Sequence, residues 1–116
     1  MTENYWPGDW QRGILDLCVL RLLSEGPTYG YELASRLSEA GLGDVKGGTL
    51  YPLLKRLETA GEVDIEWRPG ESGPGRKFYR LNGRGHERLR ELSEAWGRFS
   101  ATITNIVNAE HRRTSA

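Results

Sequence analysis

The chain has 116 residues, 37% of them hydrophobic, with 16 basic and 16 acidic side chains. That is enough for one modest domain, and it excludes a globally basic nucleic-acid sponge while leaving a basic face open. A single cysteine, Cys18, excludes an internal disulfide and suits a reducing cytoplasm. The polar start is unlike a signal peptide, and the longest apolar run, residues 14–23, is short and interrupted by Asp16 and Arg21, so no membrane span is expected.

Residues 1–8 read as a loose arm punctuated by Pro7 and Gly8. A helix is expected from Asp9, with Asp9 as its N-cap. Its apolar residues, Trp10 through Leu23, cover nearly the whole circumference, so it must be buried on more than one side. Glu25-Gly26-Pro27 ends it. A second helix over 28–40 has Thr28 as its cap and Tyr29, Leu33, Ala34 and Leu37 at helical spacing, with Tyr31 expected alongside. A third is expected from about Thr49, as N-cap, to Ala60, with Gly61 beyond its end.

The period then changes. In 62–68 Val63, Ile65 and Trp67 alternate with Glu62, Asp64 and Glu66, which describes a half-buried strand. A Gly/Pro loop over 69–75 leads to a second strand, 76–81. A lone hairpin is marginal in water, so its Val/Ile/Trp face is expected to pack on the helices. Asn82 caps a last helix running to about Glu110, followed by a tail, 111–116. Leu89, Leu92, Trp96, Phe99, Ile103 and Ile106 follow one another at spacings of three and four, a heptad seam.

Three helices, a hairpin and a further helix give a fold that is mainly α with a two-stranded wing. This is a winged helix-turn-helix over 9–81 plus a long C-terminal dimerisation helix over 82–110. In the third helix Leu50, Leu53, Leu54 and Leu57 form the core stripe. At about 100° per residue Pro52, Lys55 and Thr59 point away from it, flanked by Tyr51 and Arg56. Gly47 and Gly48 leave room for a phosphate at its N-terminus. An ordinary solvated face has the same composition; the order of elements favours a recognition helix in a major groove.

Residues 46–84 hold eight basic and five acidic side chains, so a neutral chain carries a local excess around the wing. Arg68, Arg76, Lys77 and Arg80 suit phosphate or minor-groove contact, although a solubilising turn accounts for any one of them equally well. The last helix exposes more seam than so small a body can cover, and a second copy is expected there, with the first helix as a further dimer surface. Trp96 and Phe99 in the seam, with Trp6 and Trp10 near the first helix, either leave a flat slot for a planar ligand or pack as aromatic core. His86 and His111 lack metal-type spacing, Cys18 reads as core, and 70–76 lacks the ending of a phosphate loop, so neither an enzyme, a metal nor a cofactor is expected.

The segments LDLCVLRLLSEGPTYGYEL, GGTLYPLLKRLETAG and GPGRKFYRLNGRG, in that order, resemble the PadR family of bacterial transcriptional regulators over roughly residues 13–99. The resemblance implies a winged-helix homodimer, built through the first and last helices, that binds a near-palindromic operator. It further implies repression of nearby genes, relieved by a small planar or phenolic molecule at the dimer interface. By motif, Tyr51, Lys55 and Arg56 would be recognition-helix contacts, Gly48 and Thr49 phosphate contacts, and Arg76 and Lys77 wing contacts. Tyr31 would reach phosphate or simply pack. Trp96 would line the ligand slot, within a seam of Trp10, Leu89, Leu92, Trp96, Phe99 and Ile103. Glu62 stands where an apolar residue is common, which is expected to loosen the start of the wing. A ligand sensor or protein adaptor without specific DNA binding is the competing reading.

Overall fold

In a computed structural model of the protein, residues 6–70 and 73–109 are described. Residues 1–5 of the expected arm, Glu71 in the wing loop, and the expected helix end at Glu110 with the tail, 111–116, lie outside them. Four helices and one hairpin follow in chain order: α1 (Gly8–Leu23), α2 (Gly30–Glu39), α3 (Gly47–Thr59), β1 (Val63–Arg68), β2 (Arg76–Leu81) and α4 (Gly83–Val107).

Leucines build the core. Leu15, Val19, Leu20 and Leu23 of α1 meet Leu33 and Leu37 of α2 and the whole stripe Leu50, Leu53, Leu54 and Leu57 of α3; Val63, Tyr79 and Leu81 of the hairpin close it. The i, i+3, i+4, i+7 spacing of the α3 leucines puts all four on one side, and all four are buried. Tight C-terminal turns hold the connections short. At the end of α3, Gly61 has φ +75°. Its N–H bonds the Glu58 carbonyl at 3.0 Å, and the Glu62 N–H bonds Leu57 at 3.0 Å, so the helix stops and the chain turns directly into β1.

The hairpin pairs Val63 with Leu81 through to Arg68 with Arg76 in unbroken antiparallel register. It is not alone. Thr28 exchanges both backbone hydrogen bonds with Tyr79, at 3.1 and 2.8 Å, adding the α1–α2 link as a third short edge. Thr28 is therefore part of the sheet and not the cap of α2, which begins at Gly30 after Tyr29 with no side-chain cap. Asp9 likewise lies inside α1, which starts after Pro7, and α3 starts two residues earlier than its sequence suggests, after Lys46. Pro52 consequently sits within α3, and the Gly48 carbonyl four residues before it has no helical N–H to receive.

Two expectations about the hairpin need correction. Trp67 does not pack on the helices; it is 67% exposed, because the sheet face it shares with Val63 and Ile65 runs out past the core before the strand ends. Glu62 does not loosen the start of the wing. It is 7% exposed, and its carboxylate receives Arg88 Nη1 at 2.8 and 2.9 Å. Its carbonyl oxygen also presses on Gly85 so closely that a Cβ there would collide with it. Asn82 caps α4 as expected, accepting from the Gly85 N–H at 3.0 Å, while its amide donates to Gly61 O at 3.0 Å and Asp64 Oδ1 at 3.1 Å. The start of α4 is thus locked to the root of the wing.

In urea unfolding at fixed protein concentration, Leu54→Ala is expected to cost about 2–5 kcal/mol, since a fully buried leucine leaves a cavity. Trp67→Ala is expected to change stability by no more than about 0.5 kcal/mol. A large loss from Trp67→Ala would mean that the indole is buried in solution.

Candidate nucleic-acid interface

The outward face of α3 follows from its inward one. With the leucine stripe buried, Gly48, Pro52, Lys55 and Thr59 are all exposed. At the N-terminus the Thr49 and Leu50 N–H groups both return to Lys46 O at 2.9 Å, whereas those of Gly47 and Gly48 find no acceptor among the described residues. No side chain caps this end. A Cβ added to Gly48 would meet nothing within 4 Å, so packing does not require glycine there. Two free donors with the positive end of the helix dipole make a place where an anion is favoured.

Gly30 is different. A Cβ there would come within 2.6 Å of the Tyr51 ring, which lies against the start of α2. Tyr51 thereby ties α3 to α2 while remaining half exposed. Around it a cleft of about 420 Å³ is lined by Tyr31 and Tyr51 together with Tyr29, Arg76, Lys77 and Tyr79. Arg76 is laid over the Tyr29 ring at 4.5 Å, Tyr29 packs on Phe78 at 5.2 Å, and Arg68 covers Phe78 at 4.1 Å. The guanidiniums at the loop end of the wing therefore lie on an aromatic row, which orients them. Arg68 Nε also donates to Glu66 Oε2 at 3.1 Å, so of the two it is Arg76 that keeps its charge free of an ion pair among the described residues. Lys77 sits over Tyr79 at 5.5 Å and donates to Glu58 of α3 at 3.2 Å, so part of its charge is already used. Burial pushes the Tyr79 phenol above its ordinary value, with Lys77 opposing.

The structure thus brings Tyr31, Tyr51, Arg76 and Lys77 around one cleft, with Gly48 and Thr49 in the first turn of α3 and Lys55 on its outer face. Among the described residues Lys55 and Arg76 make no ion pair. Arg56 stands apart, on the flank that faces α1, where Nη2 donates to Asp16 Oδ1 at 3.2 Å. Sequence reasoning placed Tyr29 on the apolar stripe of the second helix, whereas it stands before α2 in the aromatic row. It missed Gly30 and Phe78, whose signal lay only in the adjacency of aromatic and basic residues. It also missed the pairing of Asp16 and Arg88, which are 72 positions apart in sequence numbering (88 less 16) and carry no local signal.

The seam residues lie elsewhere. Leu89 and Leu92 of α4 pack partly against the core, but Trp96 is 45% and Phe99 59% exposed, and Ile103, Ile106 and Val107 continue the exposed stripe. Between α1 and α4 an open groove of about 480 Å³ is lined by Ile14, Leu17, Leu92, Trp96 and Phe99, with Asp16 and Arg88 at its polar side. Trp10, 69% exposed, lies toward the start of α1 and does not line it. Cys18 is half-buried, and burial pushes its thiol up, away from the reactive thiolate. Among the described residues no helix is long and apolar enough to cross a membrane, and there is no cluster of metal-ligating side chains.

A helix-turn-helix whose second helix projects a basic, tyrosine-flanked face beside an antiparallel wing defines a winged helix-turn-helix protein. The family profile described as the transcriptional regulator PadR-like family matches residues 19–91. An uncharacterized protein of Lysinibacillus sphaericus is 33% identical over 94 residues, covering 79% of this chain and 86% of that one. A crystal structure of a PadR family transcriptional regulator from Eggerthella lenta superposes with a TM-score of 0.79 at 36% identity, over 86% of this chain and 87% of that one. A PadR-like transcriptional regulator from Bacillus cereus does so with 0.76 at 33%, over 86% and 97%. The chain belongs to the PadR-like family of DNA-binding transcriptional regulators.

The two glycines differ in what a side chain would meet. Gly48→Ala is expected to raise stability by up to about 1 kcal/mol in urea unfolding, because a helical alanine replaces a glycine with open space around it. Gly30→Ala is expected to displace the Tyr51 ring, read as a large shift of its aromatic NMR resonances that Gly48→Ala does not produce. Unshifted Tyr51 resonances in Gly30→Ala would show that the ring does not rest on α2.

Proposed function

We propose that this protein is a homodimeric, sequence-specific repressor, acting in the cytoplasm on a near-palindromic operator and released by a small planar aromatic molecule. The observation that carries the DNA reading is a pair of unneutralised cations, one on the outer face of α3 and one on the wing. Lys55 and Arg76 have no acidic partner among the described residues, although the chain as a whole is neutral. In this reading Lys55 and Arg56 address base edges in the major groove, and Gly48 and Thr49 hold a phosphate at the helix N-terminus. Tyr31 and Tyr51 flank the backbone, and Arg76 and Lys77 follow it along the wing.

The dimer reading rests on the apolar stripe Trp96, Phe99, Ile103, Ile106 and Val107, too much exposed hydrophobic surface for a solitary helix to leave in water. Residues 9–81 then form the DNA-binding unit and 82–110 the dimerisation helix. Trp10, Leu89, Leu92, Trp96, Phe99 and Ile103 meet the same surface of a second copy. A two-fold axis sets two α3 helices about one DNA turn apart. The α1–α4 groove, with Trp96 and Phe99 on its wall at 6.4 Å between rings, has the shape and chemistry for a flat aromatic effector.

On an operator recovered from genomic fragments, Lys55→Ala and Arg56→Ala are each expected to weaken binding by roughly 1–3 kcal/mol. Gly48→Ala is expected to weaken it while stabilising the fold. Full affinity in all three would remove α3 from the interface. Trp96→Ala is expected to shift the dimer toward monomer in sedimentation equilibrium with the circular dichroism of the winged domain retained; an intact dimer would contradict the seam.

A further inference from the structure

Arg56 ends an ion-pair chain that begins in the core. Glu62, buried where α3 turns into β1, holds Arg88 of α4 through Nη1 at 2.8 Å. Arg88 Nη2 lies 3.8 Å from Asp16 Oδ2 on α1, and Asp16 Oδ1 receives Arg56 Nη2 of α3 at 3.2 Å. The Asp16 side chain is 29% exposed and that of Arg56 62%. The carboxylate is thus semi-buried and fixed from behind, while the guanidinium it holds reaches toward solvent.

We infer that Asp16 is a positioning residue for DNA recognition: its single hydrogen bond sets the Arg56 guanidinium at the flank of α3, oriented to read a base edge. The inference rests on the DNA-binding reading above. An arginine on an exposed helix face samples many rotamers, and a bidentate base contact accepts few of them. Asp16 uses one of the two Nη2 N–H groups, leaving the other, paired with its neighbouring Nε–H or Nη1–H, as a bidentate edge for DNA. It does not compete strongly with DNA for Arg56, because Arg88 already shares its charge. Asp16 and Arg88 also line the α1–α4 groove, so any molecule seated there that draws on either acts on Arg56 through one shared carboxylate.

The test measures binding of the full chain to its operator duplex and to a shuffled duplex of equal composition, for wild type, Asp16→Asn, Arg56→Ala and the double variant. Asp16→Asn is expected to lower the operator-to-shuffled ratio by roughly five-fold or more, the low end of one base read, without weakening binding to the shuffled duplex. In the Arg56→Ala background it is expected to change the ratio by less than about two-fold, since the two act as a unit. Arg56→Lys, on an exposed position that leaves the core untouched, is expected to lose as much as Asp16→Asn, because it keeps the charge and loses the fork. An unchanged or raised ratio in Asp16→Asn, additive losses in the double variant, or a full ratio in Arg56→Lys would each overturn the inference. These outcomes are distinct from a wild type with no operator preference, which would overturn the DNA-binding reading itself and this inference with it.

Discussion

The buried leucine stripe of α3 is the constraint from which the rest follows. Leu50, Leu53, Leu54 and Leu57 are each no more than 2% exposed, and burying each contributes about 1.5–3 kcal/mol. A helix with that much free energy in one face has no freedom to rotate about its axis. Its other faces are then assigned by geometry: Gly48, Lys55 and Thr59 outward, Tyr51 toward α2 and β2, and Arg56 toward α1. Chemistry at the surface of this protein is a consequence of which residues the core holds in.

A second layer fixes the surroundings of that helix with polar contacts. The Gly61 turn feeds α3 straight into the wing, Thr28 stitches the wing to the α1–α2 link, and Asn82 with Glu62 and Arg88 locks the root of the wing to α4. The wing, α3 and α4 are thereby joined at one corner of the molecule. Glu62 illustrates why a buried carboxylate is tolerated: it accepts two hydrogen bonds from a guanidinium, so its charge is paired where water is scarce.

The sequence made some of this legible and not the rest, for physical reasons. The α3 leucines, the alternation in β1 and the α4 seam are periodic, and periodicity is a local property that burial must respect. The end of α3 was readable because Gly61 needs a positive φ. The starts of α2 and α3 were not, because Thr28 and Thr49 are good caps in isolation, yet the sheet recruited the first and Lys46 opened the helix before the second. Trp67 alternates with polar neighbours as a buried residue would, but alternation says nothing about how far the core extends beneath a strand. Of the candidate interface, Lys55, Arg76 and Tyr51 were visible as motif residues. The Tyr29–Phe78 row and the Arg56–Asp16–Arg88 chain join distant segments, and no spacing announces them.

The central claim is that a neutral chain carries a sequence-specific DNA-binding face. The most direct measurement is a fluorescence-anisotropy titration of the wild-type protein against the duplex just upstream of its own gene and against a shuffled duplex of the same composition. Each titration is run at physiological and at higher salt. The account predicts tighter binding to the native duplex, falling steeply as salt rises because phosphate contacts release counterions. Equal, weak binding to both duplexes, repeated across a genome-wide fragment selection, would contradict it.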